Sequence, residues 1–352
     1  MDQAAKTKSE GCRLAALALL AFLMMTCCSV SGVGSGYLFY KLIEIPDRHD
    51  LYRNLVQPFQ AGGLVPPVGP RFENVPPEKA TALARRGNPH FNILLVGLDQ
   101  RGQVQHRSFR TDTIMIATLN SETNEGALLS IPRDLYVEVP LFGKRRINTV
   151  NVLGETQGYP GGGPALLVET IQQDFDIPMH GYVMINFQGF REIVDLLGGL
   201  DIYVEKEIWD NKYPDDRGGE MTIHIPAGQQ HMDSETLLQY CRSRYSSDDF
   251  DRMARQQKAL AALGEKFLSL QMLPRLPALL QTMRHTFYTD LEPDELTRLA
   301  QIGSQVDPGQ VRFVVIDRSL LDPSQRQPGD EPDLLYPDWD KIHALVDEIF
   351  HE

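Results

Sequence analysis

The sequence predicts an α/β protein: a mixed central β-sheet covered by helices in α/β/α layers, preceded by one N-terminal transmembrane helix. Three observations predict it. Near-continuous apolar runs of strand length alternate with stretches of helical periodicity, as in sheets buried on both faces. The 352 residues, 42% of them hydrophobic, can bury one large domain core or two modest ones. The stretch from Leu14 to Tyr40 carries no charge and exceeds the roughly 20 residues needed to span a bilayer.

The N-terminus sets the expected topology. Lys6, Lys8 and Arg13 precede the apolar run, whereas Lys41, Glu44, Asp47 and Arg48 beyond it nearly balance. The positive-inside rule then assigns residues 1–13 to the cytoplasm, 14–40 to a membrane anchor and the rest to the outside. A cleaved signal peptide is the competing reading, because Ser29-Val30-Ser31-Gly32 offers small residues. The apolar run exceeds a signal-peptide core of roughly 7–15 residues, which favours an uncleaved anchor. Cys27 and Cys28 could be acylated, although cysteines inside an apolar helix are also simply lipid-compatible. Residues 41–88 are rich in Pro and Gly and suit an extended linker, leaving 89–352 as the working domain. Of four cysteines only Cys241 lies in that domain, so no disulfide framework can hold it.

Within the domain, strands are predicted at 91–98, 113–119, 127–131, 182–187, 201–204, 221–225 and 311–316. Helices are predicted from Pro164 to Phe175, from 188 to Leu197 with Gly198-Gly199 closing it, and from Asp233 or Ser234 to the Arg242–Arg244 pair. Three more follow at 251–270, 293–306 and 339–350, while 323–337 reads as a Pro-rich, acidic surface loop.

The net charge of −13 argues against a general nucleic-acid binder, so local basic clusters point to a focused anion site. The densest one is Tyr240-Cys241-Arg242-Ser243-Arg244, followed by Asp249-Phe250-Asp251-Arg252 and Arg255-Gln256. Guanidinium forks match phosphate oxygens. Arg252, Arg255 and Gln256 stand at i, i+3 and i+4, on one helical face. Arg242 and Arg244 stand two apart, and both can point one way if the chain there is extended. A solvated charged face is the competing reading. Polar residues also flank the strands: Asp99 with Arg101 after the first, Arg110-Thr111-Asp112 before the second, Pro132-Arg133-Asp134 after the third. Strand ends are where sites assemble in α/β sheets, and two carboxylates there could hold Mg²⁺ (or Mn²⁺) together with substrate phosphates. An Asp at a strand end is also a common turn former. The histidines lack zinc-site spacing, no Gly-x-Ser-x-Gly elbow is present, and Gly161-Gly162-Gly163 lacks the lysine of a phosphate loop and reads as a helix lead-in.

Taken in order, these residues resemble the LytR–CpsA–Psr family of cell-wall ligases. The resemblance is carried by 92–99, Arg110-Thr111-Asp112-Thr113, Ser130-Ile131-Pro132-Arg133-Asp134 and Arg146-Ile147-Asn148. It continues through Gly189-Phe190 and 197–201, 228–232, Arg242-Ser243-Arg244, Asp249-Phe250-Asp251-Arg252 and Arg255-Gln256, so its core spans 91–269. Asp251 departs from the glycine found in many members. The resemblance implies that Asp99 and Asp112 coordinate Mg²⁺. It implies that Arg110, Arg133, Arg242, Arg244, Arg252 and Gln256 hold the pyrophosphate of a polyprenyl-linked glycan; Arg101 and Arg255 are added here as neighbouring candidates. The expected reaction moves a glycopolymer (teichoic acid, capsule or other wall polysaccharide) from that carrier to a hydroxyl of peptidoglycan, leaving a phosphodiester. Arg110 and Arg133 are the expected catalytic arginines. Asp134 is the candidate base, with Asp249 as the other possibility, though carboxylates beside arginines more often serve as their counterions. Two other readings stay open: a non-catalytic sensor of polyprenyl phosphates and a carrier pyrophosphatase.

Overall fold

The computed structural model describes residues 89–100, 109–215, 219–244, 248–267, 282, 286–292, 295, 299, 302, 306, 311–331 and 333–350. The expected anchor at 14–40, the linker at 41–88 and Arg101 lie outside the described residues. Among the described residues no helix is long and apolar enough to cross a membrane.

Strands β1 (His90–Leu98), β2 (Thr111–Asn120) and β3 (Gly126–Ser130) form an antiparallel meander. A small hairpin follows, β4 (Tyr136–Val139) with β5 (Gly143–Arg146), then helices α1 (Val150–Thr156) and α2 (Gly162–Phe175). Strand β6 (Gly181–Asn186) returns parallel to β1 and leads into α3 (Phe187–Leu197). Two two-stranded ladders come next: β7 (Leu200–Val204) with β10 (Gly228–Met232), and β8 (Ile208–Pro214) with β9 (Glu220–Ile225). After α4 (Ser234–Arg242) and α5 (Asp249–Phe267), strands β11 (Phe287–Thr289) and β12 (Val311–Val315) complete the sheet, and α6 (Trp339–Phe350) closes the described chain. The six-stranded sheet has the order β11-β6-β1-β2-β3-β12 and mixes parallel with antiparallel pairs.

Strand alternation builds the two sides of this sheet. Phe91, Ile93 and Val183 pack against Ile193, Leu197, Leu237, Tyr240, Ala259 and Leu263 of α3, α4 and α5. Leu94, Val96, Leu98 and Ile116 face the other way, onto Leu166, Ile171 and Phe175 of α2 and Ile342 and Val346 of α6. A central strand covered on both faces needs apolar residues at successive positions, which is why β1 has no polar alternation. Each such fully buried side chain contributes on the order of 1.5–3 kcal/mol. The α/β/α layering predicted from the sequence is therefore the observed one.

Local chemistry sets the helix ends. The Asp233 side chain accepts from Thr236 N at 2.8 Å and caps α4, while Asn186 accepts from Gly189 N at 2.8 Å and caps α3. Gly198, at φ 74°, ends α3 as expected. Helix α2 starts two residues before Pro164, which sits within the first turn where no intrahelical donor is lost. Gly161 and Gly162 hold left-handed turns, and a Cβ on Gly163 would lie 2.1 Å from Asn151 O of α1. The glycine triplet thus lets two helices touch.

Strands β4, β5, β8, β10 and β11 were not anticipated. Gly143-Lys144-Arg145-Arg146 and Gly228-Gln229-Gln230-His231-Met232 are polar because their ladders are only two strands wide and solvated on one side. The helix expected over 293–306 is described only at 295, 299, 302 and 306, where Leu299, Ile302 and Val306 are buried. The 323–337 loop is tied down: Tyr136 N donates to Leu335 O at 2.8 Å, and Arg146 pairs with Glu331.

Candidate active site

Strand directions bring the polar motifs together. The last residues of β1, β3 and β6 and the first residues of antiparallel β2 all emerge at one end of the sheet. Asp99 N donates to Arg110 O at 2.9 Å, closing the end of the β1–β2 ladder where its register slips between Gly97 and Leu98. Gly97 lies opposite Thr113, and a Cβ there would approach the Thr113 Cβ to 2.9 Å, so a bare backbone keeps the cleft floor open. Above it lies a cleft of about 540 Å³, lined by Asp99, Asp112, Phe187, Asp210, Lys212, Arg242, Arg244, Arg252 and Gln256, among others.

Asp112 is the hub. Arg133 Nη1 donates to both of its oxygens at 2.9 Å, and Arg244 Nη2 reaches Oδ2 at 3.1 Å. Burial alone would raise the Asp112 carboxyl, but Arg133, Arg244 and Arg252 outweigh it and hold it below the usual carboxylate range. Conversely, Asp112, Asp134 and Asp249 overcome burial to raise Arg133. Arg244 is pushed down to about 10 by burial and by the neighbouring Arg252 and Arg133. Repulsion among guanidiniums at this density is relieved by an anion between them.

Two helices supply the arginines. At the end of α4, Ser243 is extended (φ −57°, ψ 140°), so Arg242 and Arg244 both project into the cleft, as the two-residue spacing predicts. The Arg242 guanidinium lies 4.2 Å from the Phe187 ring centroid and donates to Tyr213 Oη at 2.9 Å. On α5, the Arg252 side chain is 2% exposed and pairs with Asp249 at 2.8 Å. Arg252 Nε and Gln256 Oε1 are buried and have no hydrogen-bond partner among the described residues. Buried donors rarely go unmet, so a partnerless guanidinium nitrogen on a residue lining an arginine-rich cleft favours an incoming acceptor.

The other candidate residues fall elsewhere. Arg133 stands behind Asp112 rather than in the cleft lining. Asp134 is buried and does not face the cleft: Arg146 holds it at 2.6 Å and Arg133 at 3.3 Å. Its geometry is that of a counterion. Arg255 turns away to donate to Tyr240 O at 2.9 Å and to Ser243 O, bracing the end of α4. Arg110 is exposed and contributes its carbonyl. Asp210, Lys212 and Tyr213 of β8 and Phe187 at the start of α3 escaped sequence reasoning, since residues of ordinary strand alternation or helix starts carry no chemical signature.

Residues 73–329 match the LytR_cpsA_psr family. The chain belongs to that family. The polyisoprenyl-teichoic acid–peptidoglycan teichoic acid transferase TagU of Enterococcus faecalis is 29% identical over 232 residues, 65% of this chain and 71% of the relative. TagU of Oceanobacillus iheyensis is 31% identical over 210 residues, 59% of this chain and 61% of the relative. The crystal structure of B. subtilis TagV is similar with a TM-score of 0.56 at 25% identity, covering 75% of this chain and 98% of that one. The two curated relatives are named as transferases, and the match spans 71% and 61% of their lengths.

Proposed function

We propose that this LytR_cpsA_psr member is a membrane-anchored, extracellular phosphotransferase that moves a glycopolymer from a polyprenyl-pyrophosphate carrier to peptidoglycan. The observation that carries the reading is the buried, partnerless Arg252 Nε beside Arg242, Arg244 and Gln256 in a cleft that also presents Asp99 and Asp112. Naming of the relatives as teichoic acid transferases supports the substrate class.

The residues fit Mg²⁺ with phosphate rather than Mg²⁺ alone. Asp99 and Asp112 are hard oxygen donors lining one cleft, and Asp112 is kept ionised. No cluster of three or more His, Cys, Asp or Glu among the described residues could hold a metal unaided. One or two carboxylates completed by substrate phosphates is the arrangement Mg²⁺ favours, and a bound ion would neutralise charge on those phosphates.

The chain's own residues do the rest. Arg242, Arg244 and Arg252 grip the pyrophosphate oxygens, with Gln256 beside them. When an acceptor hydroxyl attacks the phosphorus nearest the glycan, the bond to the bridging oxygen breaks and polyprenyl monophosphate leaves, its new terminal oxygen taking up the hydroxyl proton. Negative charge grows on that leaving phosphate, where fixed guanidiniums stabilise it without reorganising. Arg133 holds Asp112 in place throughout, and Asp134 and Asp249 hold Arg133.

Single turnover by the full chain tests this, with a short polyprenyl-pyrophosphate glycan, Mg²⁺ and a peptidoglycan fragment. The wild type should form the glycan–peptidoglycan phosphodiester. Arg244→Ala should slow it by about 10²–10³-fold, the loss typical of one charge-stabilising donor, and Asp112→Ala by at least as much. Polyprenyl phosphate released without acceptor product would make the protein a pyrophosphatase. Carrier binding without turnover, indifferent to Mg²⁺, would make it a sensor.

A further inference from the structure

We infer that Asp210 is a positioning residue of the anion site, acting through the Arg242-Ser243-Arg244 turn; this rests on the proposed reading of the cleft. Asp210 lies in β8, is 3% exposed and lines the cleft. Its position is chemically odd. A carboxylate beside three cleft arginines lowers the positive potential that an anionic substrate needs.

Its hydrogen bonds explain its presence. Asp210 Oδ2 accepts from Ser243 Oγ at 2.8 Å and from Arg244 N at 3.3 Å, and Oδ1 accepts from Lys212 N at 3.0 Å. One side chain thus joins β8, at the irregularity between Asp210 and Tyr213, to the extended residue that follows α4. Ser243 is itself buried, and its backbone N–H still reaches back to Gln239 O at 2.9 Å. The turn is therefore fixed from the helix side by Gln239 and from the strand side by Asp210. Arg242 is further held by Phe187 and Tyr213, whereas the Arg244 side chain pairs with Asp112 at 3.1 Å. Backbone anchoring at Arg244 N is what Asp210 adds. An arginine whose backbone is fixed loses less freedom on gripping phosphate, so preorganisation converts to affinity.

Charge and positioning make opposite predictions for Asp210→Asn. If Asp210 acted only as a countercharge, removing it would tighten anion binding. If it positions Arg244, the amide places a donor where Lys212 N or Arg244 N already donates, the turn loosens, and binding weakens. The experiment is calorimetric binding of inorganic pyrophosphate to the full chain, with Tm recorded for every variant. Asp210→Asn should raise Kd by about tenfold, equivalent to about 1.4 kcal/mol. Ser243→Ala, which keeps the carboxylate and removes one of its donors, should raise Kd by a smaller factor and serves if Asp210→Asn does not fold. In an Arg244→Ala background the effect of Asp210→Asn should fall to within twofold, because its route is gone; a general structural defect would persist in both backgrounds. Unchanged or tightened binding by Asp210→Asn, or an undiminished effect without Arg244, overturns the inference. A wild type that takes up no pyrophosphate overturns the reading of the cleft itself.

Discussion

Asp112 is held from behind by Arg133 and from the cleft by Arg244, so an incoming phosphate competes with it for Arg244. Arg244 drawn onto the anion leaves Asp112 more open to a cation, and binding of the two should be mutually reinforcing. With Mn²⁺ as the probe, pyrophosphate should tighten metal binding by at least about tenfold beyond the metal–pyrophosphate affinity in solution, equivalent to about 1.4 kcal/mol of coupling. Asp112→Asn should abolish that gain, and a gain that survives the substitution would remove Asp112 from the metal site. These residues were legible in the sequence because their function lies in their type: carboxylates and guanidiniums concentrated at strand and helix ends. Arg255 was not, and helix geometry says why. At 100° per residue Gln256 lies 40° from Arg252, whereas Arg255 lies 60° to the other side, within reach of the α4 carbonyls. Asp210 was invisible for a different reason, since its role depends on a loop that follows it by more than thirty residues.

At the scale of elements, apolar runs revealed the central strands and periodicity revealed the helices, while ladders without an apolar face stayed hidden. The α1–α2 contact shows what a motif scan alone would misread. Gly163 is packed against Asn151 with no room for a Cβ, so Gly163→Ala should destabilise the fold by about 1–3 kcal/mol, the usual range for overpacking. Urea unfolding reads this, and pyrophosphate affinity under native conditions should not change; a loss of affinity would return the glycines to the binding site. The β6–β11 edge carries a pH-dependent element. The Asp290 carboxyl accepts from Tyr182 N at 2.8 Å, and burial, with Glu295 and Glu292 nearby, pushes it up to about 7 from 3.8. The fold thus favours the protonated acid. That contribution is fully present below about pH 4 and is lost as pH rises through about 7. The urea midpoint of the wild type should fall between pH 5 and 8 more than that of Asp290→Asn, which keeps an acceptor for Tyr182 N and cannot ionise. Parallel profiles would show that Asp290 does not control the edge.

Across the whole molecule, charge is locally concentrated: a chain of net charge −13 brings Arg242, Arg244 and Arg252 into one cleft. The strand-end residues Asp99, Asp112 and Phe187 meet them there because β1 and β6 run toward that end and β2 starts from it, a consequence of topology that no single motif encodes. Asp99, Asp112, Arg242, Arg244, Arg252 and Gln256 were named from the sequence, and strand and helix directions turned them into a place. What the proposed lipid carrier adds is a second dimension of assembly, because a polyprenyl chain is confined to the bilayer. The proposed anchor, the uncharged run from Leu14 to Tyr40, would confine the enzyme there too. Confinement converts encounter with the carrier into a near-intramolecular event, raising effective concentration without any new contact. The full chain should therefore sediment with phospholipid vesicles, whereas the chain lacking residues 1–40 should remain in the supernatant. On carrier embedded in those vesicles, the shortened chain should turn over at least about tenfold more slowly at equal concentration, a modest part of the 10²–10⁴-fold gain that tethering can give. Its affinity for soluble pyrophosphate should match that of the full chain, since the cleft is built wholly from residues after Pro89. Equal turnover on vesicles by both chains would show that the apolar run is dispensable for meeting the carrier.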